Sequence, residues 1–135
     1  MIKLKTRAQF QEALQHKPVG HTPHFGMHVL TNSEPGFRLG AMVPKRWAKR
    51  AVTRNLIKRQ IYTIGQFQST PPAHHTFLVR LRQRFDTEQF PSASSHDLKR
   101  LVNLELQQLF QNWWAQQTRN EARETLRVTQ ASHAP

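Results

Sequence analysis

Cysteine is absent from the 135 residues, which excludes a disulfide framework, a thiolate zinc site and a cysteine nucleophile, and suits a reducing compartment. No stretch approaches the ~18–20 consecutive apolar residues that a membrane-spanning helix requires. Nor is the basic start, Met-Ile-Lys-Leu-Lys-Thr-Arg, followed by the apolar run of a secretory signal. Acid is also scarce: 8 Asp and Glu stand against 20 Lys and Arg, a formal net charge of +12 and an isoelectric point near 11.5. Such an excess repels itself in the compact state unless a polyanion neutralises it, and nucleic acid is the commonest such partner.

The shortage of acid bears directly on chemistry. A protein that hydrolyses phosphodiesters by itself needs clustered carboxylates for metal ions, or a placed acid/base pair. Of Glu12, Glu34, Asp86, Glu88, Asp97, Glu105, Glu121 and Glu124, only Asp86 and Glu88 are close in sequence, on a stretch that reads as a solvent-facing loop. His21, His24 and His28 are three and four apart but lie on no helix that would align them, and His74–His75 are merely adjacent. No zinc set, Ser/His/Asp arrangement or phosphate-binding loop emerges. The expectation is no catalytic residue and no metal ligand on the protein.

What is present is organised. Thr6 and Gln9 form a capping box for a short helix carrying Phe10, Ala13 and Leu14, which ends near His16–Lys17 before Pro18. Phe25, Met27 and Val29 alternate with Gly26, His28 and Leu30, and Phe37, Leu39, Ala41 and Val43 with Arg38, Gly40 and Met42. These are two strands, and the turn from Asn32 to Gly36 predicts that they pair antiparallel. A helix follows over 51–65 with Ile57, Ile61 and Ile64 on one face, closed by Ser69-Thr70-Pro71-Pro72; then come a third strand from Phe77 to Arg82 and a helix capped by Ser95 or Asp97. In that last helix Leu98, Val102, Leu106, Leu109 and Trp113 make one apolar stripe. The order predicts an α+β two-layer sandwich: a small, mostly antiparallel sheet with helices packed on it. One domain is expected over residues 1–116, with 117–135 a polar tail, frayed or disordered.

Charge is confined to part of this layout. From Pro35 to Phe85 there is no acid, while Arg38, Lys45, Arg46, Lys49, Arg50, Arg54, Lys58, Arg59, Arg80, Arg82 and Arg84 supply +11 of the +12. Between Lys45 and Arg59, 7 of 15 residues are basic. Arg54 and Lys58, one helical turn apart, can meet successive phosphates, Arg with a planar fork of donors and Lys as a mobile point charge. Asn55 can bond sugar or phosphate, or simply fix the local backbone.

The passage from Arg38 to Arg59 resembles the signature of the ribonuclease P protein family. In that family a strand with an Arg-apolar-Gly start runs into a basic loop and a helix bearing Arg-Asn-Arg-x-Lys-Arg. Arg54, Asn55, Lys58 and Arg59 keep that pattern, and Leu56 departs from it where Arg is usual. The likeness spans roughly residues 4–116. The resemblance implies the protein subunit of an endoribonuclease that removes the 5′ leader of precursor tRNA in the cytoplasm. Its active site and Mg²⁺ would be held mainly by a catalytic RNA, and the protein would be a monomer apart from RNA. It further implies a catalytic-RNA surface made of Lys45, Arg46, Lys49, Arg50, Arg54, Asn55, Lys58 and Arg59. A cleft for the single-stranded leader would be lined by Phe10, Leu14, His28 and Arg80. It also implies a strand–helix–strand crossover of the unusual left-handed sense. Phe10 could stack on an unpaired base or belong to the core; His28, alternating with core positions, is expected to be exposed. The alternatives are a general or ribosomal RNA-binding module and a metal-dependent nuclease acting alone.

Overall fold

The computed structural model describes residues 1–32, 34–66, 74–85 and 96–132, with side chains to 126. Its elements are β1 (Ile2–Lys3), α1 (Arg7–Leu14), β2 (Gly20–His21), β3 (Phe25–Thr31), β4 (Gly36–Met42), α2 (Ala51–Gln66), β5 (His74–Leu81) and α3 (His96–Ser132). The strands form one mixed sheet in the order β1-β4-β5-β3-β2. The α+β class holds, but the antiparallel share is half: β1–β4 and β4–β5 are parallel, β5–β3 and β3–β2 antiparallel.

The expected β3–β4 hairpin does not form. β5 lies between the two strands, pairing Met27 with Val79 on one side and Ala41 with Val79 on the other. The reason is in the composition of β5. Thr76, Phe77, Leu78 and Val79 are consecutive and all buried, so both faces of this strand are covered, as a central strand demands. The turn before β4 uses Gly36 at φ +130°, in the region that favours glycine.

Helices cover both faces of the sheet, which corrects the two-layer expectation to three layers. Alternation along β4 shows this. Leu39 faces α2, where it meets the close approach at Gly65, whereas a Cβ on the next residue, Gly40, would lie 2.6 Å from Leu4 Cδ1 and 2.9 Å from Phe10 Cε1. The larger core therefore lies between the sheet and α2 with α3. It contains Phe25, Met27, Leu39, Ile57, Ile61, Phe77, Val79 and the α3 stripe from Leu98 to Trp113. The thinner layer beneath α1 buries Leu4, Ala13 and Leu78. The capping box of α1 forms in full: Gln9 N donates to Thr6 Oγ1 at 3.2 Å, and Thr6 N to Gln9 Oε1 at 3.1 Å.

On α2 the buried face is Ile57, Ile61 and Gly65, with Ile64 half-buried. Packing on α3 ends at Trp113 and Trp114, near the expected boundary at 116, yet the helix itself continues to Ser132, with residues 121–126 exposed. The expected cap at Ser95, the 69–72 stop and residues 133–135 lie outside the described residues. The two-residue strands β1 and β2 carry no pattern that periodicity can register. Phe77 sits at the centre of the larger core, edge-on to Phe37 at 5.4 Å and to Trp113 at 4.8 Å. Phe77→Ala should therefore cost about 3–5 kcal/mol, read from urea unfolding of the RNA-free protein.

Candidate nucleic-acid interface

The basic loop between β4 and α2 is tied down by a few contacts. After buried Val43, Trp47 N and Ala48 N both donate to Pro44 O at 3.1 Å, and Ala48 is buried at 5% exposure. Lys45, Arg46, Lys49 and Arg50 point outward around this anchor and are exposed. The Arg46 guanidinium lies 5.2 Å from the centre of the Trp47 ring, a cation–π arrangement that limits its freedom. Arg54 is half-buried, and its Nη1 donates to Ala48 O at 3.0 Å and Lys49 O at 2.8 Å. It closes the loop onto the first turns of α2. Its role includes positioning the four loop cations, which spacing alone does not disclose.

The rest of α2 divides by helical geometry. Asn55, Lys58 and Arg59 are exposed. Lys58 shares a flank with Arg54, whereas Asn55 and Arg59, also one turn apart, point round toward α3. Leu56 is half-buried against the core, so an apolar side chain there has a packing partner. Of the described acids, Glu34 pairs with Arg38 at 3.2 Å, and Glu105 is buried against His24.

The expected leader residues gather on the opposite face, under and beside α1. Phe10 and Leu14 are half-buried; Phe10 lies over Gly40 and outside the larger core. His28 is a correction. It is buried at 3% exposure because α1 and its following turn cover this face too, and its Nδ1 donates to His16 O at 2.6 Å. With Nδ1 committed, Nε2 is the free acceptor, and it has no partner; half-buried Arg80 leaves Nε without one as well. Burial pulls the His28 pKa below its ordinary 6.5, and the nearby charge of Arg80 pushes the same way, against the His16 bond.

One cluster escaped the sequence reading. Glu105 accepts from His24 N at 2.9 Å and contacts His24 Nδ1 at 2.7 Å, while the His24 ring stacks on Phe85 at 3.9 Å and 10°. The available signal was a single acid set inside the apolar stripe of α3, which calls for a buried partner. Among the described residues no group of three or more His, Asp or Glu could hold a metal ion. Asp86 and Glu88 lie outside the described residues.

Comparison with known proteins returns one family. The family model described as Ribonuclease P matches residues 1–105. A ribonuclease P protein component from Ralstonia pickettii is 33% identical over 109 residues, covering 81% of this chain and 76% of its own. One from Paraburkholderia xenovorans is 32% identical over 114 residues, covering 84% and 81%. In fold, the chain is similar to the Staphylococcus aureus RNase P protein with a TM-score of 0.64, 23% identity and coverage of 82% and 94%. The Thermotoga maritima RNase P protein gives 0.56, 21%, 78% and 96%.

Two outcomes test this geometry. Arg54→Ala should speed amide hydrogen exchange in the loop at 45–50 and weaken RNA binding, with Arg54→Lys restoring the charge but not the exchange protection. His28 binds its proton less readily folded than unfolded, so its stabilising contribution is complete above about pH 6.5 and is lost as pH falls toward the lowered folded value. His75, also lowered by burial and by His74, acts in the same direction. His28→Gln should flatten part of the loss of stability between about pH 7 and 5, as measured by denaturant titration.

Proposed function

The chain belongs to the ribonuclease P protein family, and from that membership we propose how its two surfaces divide the work of the enzyme. It is an RNA-binding protein subunit of a ribonucleoprotein endoribonuclease of tRNA processing. The cations of the 45–59 segment bind the catalytic RNA, and the face beside α1 receives the 5′ leader of precursor tRNA. The observation that carries this reading is the acid-free basic loop, held open by Ala48 and clamped by Arg54 so that its four cations project together. Prearranged charges release counterions from phosphate without first having to be ordered.

On the other face, Phe10 offers a ring to an unpaired base, a contact worth about 1–3 kcal/mol. Leu14 extends the apolar wall. Half-buried Arg80 brings positive charge to this face, while buried His28 lies beneath it and supports the wall rather than touching RNA. We assign the active site and its Mg²⁺ to the RNA. The acids that the structure describes are paired, as Glu34 and Glu105 are, or dispersed, and they make no set that fits the ion. The protein then lowers phosphate repulsion and holds the substrate, acting in the cytoplasm.

Purified protein mixed with precursor tRNA should leave it uncut, and should stimulate cleavage once the catalytic RNA is supplied at low magnesium. Cleavage without that RNA would reject the assignment. Phe10→Ala should raise KM for leader-bearing substrate by roughly tenfold, while affinity for mature tRNA stays the same. Equal losses on both would place Phe10 in the packing alone.

A further inference from the structure

α2 turns a second set of side chains away from the loop. Asn55 and Arg59 line a groove of about 450 Å³ whose opposite wall is α3, contributing His96 and Lys99. The two walls are held at fixed spacing by a hydrogen bond from Asn103 of α3 to Gln60 of α2, and Leu56 lines the groove with Gln60. Arg59, Lys99, His96 and the neighbouring Arg100 are all exposed. Among the described acids, Asp97 is two residues from Lys99, hence nearly across the helix from it and one turn from Arg100, and Glu105 is buried against His24.

A groove with cations on both walls fits a run of phosphodiesters. It is continuous with the exposed surface of α2, and the sheet separates it from the face beside α1. We propose that the α2–α3 groove seats a stretch of the sugar–phosphate backbone of the catalytic RNA, gripped from opposite walls by Arg59 and Lys99. Asn55 and His96 contribute polar contacts. This rests on the assignment of α2 to the catalytic RNA and extends that interface onto α3, a helix whose sequence reads only as an apolar stripe with a polar outside.

The test is the salt dependence of affinity between the full-length protein and the catalytic RNA, without tRNA. Lys99→Ala should reduce the slope of log affinity against log salt by about one, as should Lys58→Ala on the other flank of α2. Arg123→Ala, an exposed cation farther along α3, should leave the slope unchanged. All three positions are exposed, so the variants should fold, and equal unfolding midpoints check this. If Lys58→Ala lowers the slope while Lys99→Ala does not, the groove proposal fails and the assignment of α2 stands. If neither lowers it, both fail. Equal effects of Lys99→Ala and Arg123→Ala would reduce the groove to general electrostatics and overturn it.

Discussion

The strand β5 is the constraint on which the molecule rests. Thr76 to Val79 are buried on both faces, and this strand alone pairs with both β3 and β4. Through one face it gathers Phe37, Phe110 and Trp113 around Phe77; through the other it presents Leu78 and Arg80 toward α1. Because β4 and β5 are parallel, the chain must cross over between their ends, and α2 is that crossing. The helix that carries half the basic motif is thus placed by a requirement of strand direction. Charge did not choose its location; it occupies an exposed face that packing had already created.

That division explains how a chain so rich in one sign of charge holds together. Repulsion among eleven cations in the 35–85 segment opposes compaction, yet most of their head groups stand in solvent, where screening is strong. Few ionic groups go inside. Glu105 does so only with His24 bonded to both of its oxygens and Phe85 stacked over the ring. Arg54 goes half inside and finds two backbone carbonyls. These two charges have become ties between elements that are distant in sequence or adjacent at a turn.

Much of this was legible in the sequence, for reasons that can be named. The capping box at Thr6, the stripe from Leu98 to Trp113 and the alternation in β3 and β4 are local signals; α1, β3 and β4 formed within a few residues of their expected bounds, whereas α3 runs past the expected boundary at 116 to Ser132. Strand order was not local. The five-residue turn from Asn32 to Gly36 suggested a hairpin, and no local signal announces that β5 lies between its arms. The basic surface was legible because exposed charge needs no partner to be recognised. The exposure of His28 was misread because alternation identifies two faces without saying that α1 covers the second. The clamp by Arg54 and the Glu105–His24 tie depend on contacts that no spacing rule contains.

Among the described residues, the sheet ends in strands of two residues each, β1 against β4 and β2 against β3. Borders this short display too few unpaired amide and carbonyl groups to template the addition of a foreign strand. The long strands β3 and β4, which could serve as such templates, are each covered by one of these stubs along part of the outer edge, at Gly26–Met27 and Arg38–Leu39. A protein carrying high positive charge thereby offers a foreign strand a shorter stretch of open backbone than its two long strands would present alone.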